Sequence, residues 1–102
     1  MTKYLFVYYG GKMQTDPKMA AKSMAEWNKW FGSLGKALVD GGAPTQPGKM
    51  VSSSGVKSIG AKPVTGYSII QADNQDKAVA IAKSCPLIND EGQVAVYEFA
   101  PM

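Results

Sequence analysis

The stretch "KYLFVYYGG", Lys3 to Gly11, constrains the fold more than any other part of the chain. Rich in aromatic and branched residues and closing on two glycines, it reads as a strand that ends in a turn. Alternation puts Tyr4, Phe6 and Tyr8 on one face and Leu5, Val7 and Tyr9 on the other. Both faces are therefore apolar, whereas a small sheet with helices on one side should show polar residues on its other side. A chain of 102 residues has material for one two-layer core, so it is expected to be one domain, residues 1–102. The cover for the second face must come from a partner.

Asp16 followed by Pro17 is a helix start, with a side-chain acceptor at the cap and a ring whose missing N–H the first turn does not need. From there Ala20, Met24, Trp27, Phe31, Leu34 and Leu38 recur at spacings of four and three, while Lys18, Lys22, Glu26 and Lys29 take other faces. The spacing predicts one long amphipathic helix, weakened at Gly32 and Gly35 and ended by Gly41 and Gly42. "APTQPGKMVSSSGVKSIGAKPV" is the least regular region, with short strands expected near Lys49 to Ser52 and Val56 to Ile59 around a turn at Ser54 and Gly55. "GYSIIQAD" is a strand with Tyr67, Ile69 and Gln71 on one face and Ser68, Ile70 and Ala72 on the other. Asn74 or Asp73 then caps a helix with a buried stripe of Ala78, Ile81, Ala82 and Cys85, stopped by Pro86. "QVAVYEF" is the last strand.

This order is α+β: a ferredoxin-like β-α-β-β-α-β protomer, with an antiparallel sheet and two helices on one face. Two such sheets packed face to face would bury Leu5, Val7 and Tyr9 and make a dimeric α/β barrel, so a homodimer is expected.

Composition narrows the function. The eleven basic residues, on which the net charge of +3 rests, are all lysine and scattered. Without arginine, specific nucleic-acid recognition loses its bidentate reader, and no nucleic-acid partner is expected. The chain has no histidine, which removes the commonest general base, metal ligand and nucleophile partner together. One cysteine cannot form an internal disulfide, and the longest apolar run, Tyr4 to Tyr9, is too short to cross a membrane. A cytoplasmic location is the expectation, with no membrane partner, metal or cofactor.

The segments "KYLFVYYGG", "MAEWNKWFGSLGKALVDGG" and "GYSIIQADNQDKAVAIAKSCPLINDEGQVAVYEF" together resemble the YCII-related family of the dimeric α/β-barrel superfamily. The resemblance implies the same ferredoxin-like protomer and barrel-forming homodimer. The family's functional signatures are altered here. Leu87 stands where a histidine often follows the Cys-Pro dipeptide, "SIGAKPVT" replaces the Asp-Gly-Pro-Phe motif of one subgroup, and Ala95 and Tyr97 occupy a last strand that commonly carries an acidic and a basic residue. The family's histidine-based chemistry does not transfer.

Among individual residues, Cys85 reads as a packed core thiol, because a helix C-terminus raises a thiol pKa and no imidazole is available as base. Asp73 sits just after a strand, where sites often lie, although capping is its simpler role. The run Ser52 to Gly55 lacks a phosphate-loop pattern and reads as a turn. The aromatic residues remain as the lead, since aromatic walls with a few hydroxyls suit a small apolar or aromatic ligand. The expected binding residues are Tyr8, Trp30, Tyr67, Asp73 and Tyr97, in a cleft between helices and sheet, with no catalytic residue. The alternative is a cofactor-free isomerase, lyase or monooxygenase-like enzyme acting on an aromatic or quinone-like substrate.

Overall fold

The computed structural model of the chain describes residues 1–10, 16–60 and 63–100. Strand β1 (Thr2–Tyr9) leads to helix α1 (Pro17–Leu34), a single 3-10 turn (Gly35–Ala37) and the short strand β2 (Leu38–Asp40). A hairpin of β3 (Lys49–Ser52) and β4 (Gly55–Ser58) follows. Then come β5 (Val64–Ala72), α2 (Gln75–Lys83), the one-turn helix α3 (Pro86–Asn89) and β6 (Gln93–Glu98). The main sheet has the order β2-β5-β1-β6, and every adjacent pair is antiparallel. Strands β1 and β2 thus run parallel on either side of β5, and β5 and β6 do so on either side of β1. This is the double split βαβ of the ferredoxin-like plan, and the chain has that α+β fold.

The pleat of β1 sorts the sheet as its sequence requires. Tyr4, Phe6 and Tyr8 are buried on the helix side with Ser68, Ile70 and Ala72 of β5. Trp30, Ala78, Ala82, Cys85 and Leu87 close that core from above, with Val94, Val96 and Leu38 packed against it. On the opposite face the register aligns Leu5 with Ile69 and Tyr97, and Val7 with Tyr67 and Ala95. Tyr67 and Tyr97 stay exposed there.

Caps define the helix starts. The Asp16 carboxylate accepts the Lys18 amide at 2.9 Å, and the Asn74 side chain, not that of Asp73, accepts the Lys77 amide at 2.9 Å. The end of α1 differs from the sequence expectation. The helix stops at Leu34, because Gly35 takes a positive φ of 53° and the Ser33 hydroxyl turns back to the Trp30 carbonyl at 2.6 Å, a local bond that competes with helix continuation. Leu38 therefore belongs to a strand paired with Ile70; its four-residue spacing from Leu34 was coincidental to the helix period. The second strand of the ferredoxin-like plan is this short β2. The hairpin expected near Lys49 and Val56 does form, but its strands pair only with each other, and all eight residues are exposed. A radius of gyration of 14.8 Å, against about 13 Å for a compact chain of this length, accords with a hairpin standing off the body. Gly11, the second glycine of the turn expected after β1, lies outside the described residues.

The Cys85–Pro86 pair also plays a different part. Helix α2 already ends at Lys83 with Ser84 as its cap, and Cys85 caps α3, whose first residue is Pro86. Proline here starts a turn of helix instead of stopping one.

Candidate ligand cleft

The path of the chain after β2 builds the principal cleft. Residues 41–45 run as an irregular strap along the edge of β5. The Tyr67 amide donates to the Ala43 carbonyl (3.3 Å), the Thr45 amide to the Thr65 carbonyl (3.0 Å), and Pro44 bridges to Gly66. Gly42 allows this close approach: its φ is 71°, and a β-carbon there would overlap the carbonyl oxygen of Tyr67. The Asp40 carboxylate holds the turn by accepting the Gly42 amide at 2.8 Å.

Between this strap and α1 lies a cleft of about 450 Å³, within the range of about 300–1,000 Å³ usual for small-molecule sites. Its aromatic wall is Tyr8, Trp27 and Phe31, with Gly42 and Gly66 opposite, and with exposed Ala20 and Met24 and half-buried Ser23 at the edge of α1. Trp27 meets Tyr8 edge-on at 5.1 Å between ring centroids and tilts against Phe31 at 5.7 Å, geometries that favour aromatic contact. No charged side chain is among the described residues that line the cleft.

Beneath the cleft a directed chain of polar groups joins two lining residues, Tyr8 and Gly41, through the buried Ser68. The Tyr8 hydroxyl donates to Ser68 Oγ at 2.8 Å, and Ser68 donates to the Gly41 carbonyl at 2.8 Å. Ser68 is the fully buried polar side chain among the described residues, and these two bonds satisfy it. Burial pushes the Tyr8 pKa well above its ordinary 10.0, an effect that the bond to Ser68 only partly offsets. At neutral pH Tyr8 is a neutral phenol. Cys85, in the core with 1% of its surface exposed, has its thiol pushed up by burial to about 11, with the Leu87 amide lowering it slightly. Such a thiol is no nucleophile near neutrality.

The five expected binding residues do not converge. Tyr8 and Tyr67 border the cleft, although the strand's alternation aims the Tyr67 side chain toward the open face with Val7. Trp30 is buried and its indole N–H donates to Ser84 Oγ at 2.8 Å; it borders a separate shallow depression with Glu26, Lys29 and Asn89. Asp73 is exposed beyond the far end of β5, seven positions or about 23 Å along the strand from Gly66. Tyr97 is on the helix-free face and 55% exposed.

Trp30 was expected at the cleft; in the structure it is buried, and Trp27, on the apolar stripe and packed against the core, is the tryptophan that walls the cleft. The indole N–H of Trp30 finds its partner at the α2 cap, a long-range pairing with no local signature. The strap was also missed, because its two glycines had been read as the end of a helix. A run such as Ala37-Leu38-Val39-Asp40 after Gly35, with its β-branched valine, was the available signal.

Neither a protein-family model nor a curated protein sequence matches the chain. Among solved structures it is similar to the 5-chloro-2-hydroxyhydroquinone dehydrochlorinase of Burkholderia phenoliruptrix AC1100, determined in complex with 2,5-dihydroxybenzoquinone. The TM-score is 0.57 at 14% identity, over 96% of this chain and 95% of that one. The likeness extends along both chains nearly end to end and joins this chain to that structure by fold.

Proposed function

We propose that this chain is a YCII-related protein that works as a homodimer and holds a small, neutral aromatic or apolar molecule in the cleft between α1 and the strap. The observation that carries the reading is the cleft itself: about 450 Å³ walled by Tyr8, Trp27 and Phe31 with no charged side chain among its described lining residues. An ionised ligand would lose its hydration there without gaining a partner, at a cost of several kcal/mol, whereas a neutral ring would gain aromatic contact. The similar solved structure was determined with a single-ring quinone, which agrees in size.

Dimerisation is supported by the helix-free face, where Leu5, Val7, Ile69, Tyr67 and Tyr97 share one surface. Packing two such faces would give each apolar side of β1 a cover. Val7→Lys would place a charge in that interface, and sedimentation should then show monomers where the parent chain shows dimers.

An enzymatic reading, with a cofactor-free isomerase, lyase or monooxygenase-like reaction on an aromatic or quinone-like substrate, requires an acid or base at the cleft. Burial holds the Tyr8 proton more tightly than usual and commits it to Ser68, and Asp73 is remote, so binding has the stronger support. The test is a titration with neutral aromatics followed by tryptophan emission, to which Trp27 in the cleft wall should respond. Saturable quenching is expected, and Ala20→Phe, at an exposed position on the cleft's edge, should abolish it while leaving the fold intact. Absence of saturable binding across single-ring and two-ring compounds would defeat the proposal.

A further inference from the structure

The direction of the hydrogen bonds beneath the cleft says which neutral aromatics it prefers. A carbonyl oxygen only accepts hydrogen bonds, so the contact between Ser68 Oγ and the Gly41 carbonyl (2.8 Å) takes the one proton of the Ser68 hydroxyl. Toward Tyr8, Ser68 is then an acceptor, and the 2.8 Å bond between them takes the one proton of Tyr8. What Tyr8 has left for a ligand is an oxygen lone pair. Two backbone donors of lining residues are spent in the same way: the Gly42 amide on Asp40 and the Tyr67 amide on the Ala43 carbonyl. Ser23, on the half-buried edge of α1, and Thr65, whose hydroxyl reaches the Gly10 carbonyl only at 3.5 Å, keep rotatable hydroxyls at the rim, so the selection is made at Tyr8 and not there.

We infer that the cleft discriminates by hydrogen-bond direction and prefers an aromatic ligand that donates, such as a phenol, over an isosteric one that only accepts, with Tyr8 as the reader and Ser68 as the residue that fixes its orientation. The inference rests on the cleft being the binding site proposed above. A phenolic O–H meets the Tyr8 lone pair directly. An ether or carbonyl oxygen in the same place faces another oxygen, unless Tyr8 abandons Ser68 and leaves a buried hydroxyl without its donor.

Calorimetric titration of the full chain with para-tert-butylphenol and para-tert-butylanisole, compounds alike in shape and differing in the donor, tests this. The phenol should bind about tenfold more tightly, the equivalent of one retained hydrogen bond. In Tyr8→Phe the ratio should fall to about one, chiefly through loss of phenol affinity. In Ser68→Ala, where the Tyr8 proton is released to turn toward the ligand, anisole should gain and the ratio shrink. Equal binding of the two compounds by the parent chain, or a ratio that survives Tyr8→Phe, would overturn the inference and leave the cleft as a binding site. Failure of both compounds to bind would overturn the cleft reading and this inference with it.

Discussion

Two adjacent glycines, Gly41 and Gly42, should respond very differently to the same substitution. At Gly42 an added β-carbon would overlap the Tyr67 carbonyl oxygen and lie 2.7 Å from the carbonyl carbon. The obstacle is the backbone of a central strand, which does not move aside. The residue would also have to hold a φ of 71°, costing about 1–2 kcal/mol for a side-chain-bearing residue. Relief requires the strap to lift from β5. That breaks the bond from the Tyr67 amide to Ala43 (3.3 Å) and strains the bond from Ser68 to Gly41 (2.8 Å), each worth about 1 kcal/mol, with more lost if buried Ser68 is left unsatisfied. Gly42→Ala should therefore cost about 3–5 kcal/mol. For a chain of this size that lowers the thermal midpoint by at least about 12 °C. At Gly41 a β-carbon meets nothing within 4 Å, and φ is not positive. Gly41→Ala should stay within about 1 kcal/mol of the parent chain, with the reduced freedom of the unfolded chain acting in its favour. Urea denaturation followed by circular dichroism measures both. If Gly42→Ala unfolds within about 1 kcal/mol of the parent, or the two variants behave alike, the strap does not pass this close to the strand.

The buried thiol gives a pH prediction. Below pH 9.0, the ordinary cysteine value, folded and unfolded chains are both protonated at Cys85 and the thiol imposes no pH dependence. Between 9.0 and about 11 only the unfolded chain readily gives up the proton, so stability should fall as pH rises through that window; a midpoint that stays flat in the parent relative to Cys85→Ala would contradict it. At neutral pH iodoacetamide should label Cys85 in urea and leave it unmodified in the native protein, as read by mass spectrometry. Trp30→Phe removes the indole donor to Ser84 (2.8 Å) together with buried ring volume and should cost about 2 kcal/mol in denaturant titration. Residues 49–58 pair only with themselves, so replacing them with two glycines should move the thermal midpoint by less than about 5 °C. A larger loss would mean that the hairpin supports the main sheet.

Where the sequence reading succeeded, the information was periodic and local. The alternation in β1 and β5 was enough to sort Tyr4, Phe6 and Tyr8 from Leu5, Val7 and Tyr9, because a one-residue shift would send every apolar side chain to the wrong face. Asp16 with Pro17, and Asn74 three residues before Lys77, announced two helices through side chains that satisfy amides within one turn. The apolar environment of Cys85 was also legible, since no partner residue existed to make it reactive.

Other features were decided between segments far apart in the chain. Whether Leu38 continued a helix or joined a strand depended on Ile70 being available to pair with it, and a helical spacing alone does not encode that. Trp27 and Trp30 are three residues apart on the same helix. Ser84, 54 positions from Trp30, supplies the partner for the buried indole, while Trp27 walls the cleft. The strap became a wall because Gly42 passes against the Tyr67 carbonyl, and the direction of the hydrogen bonds beneath the cleft came from joining Tyr8, Ser68 and Gly41 through tertiary packing. The sequence by itself determined the elements and the apolar faces, through steric preference and burial that each residue carries with it. Only the tertiary structure decided the cleft and its polarity, because hydrogen-bond direction and cavity shape are properties of groups brought together and belong to no residue alone.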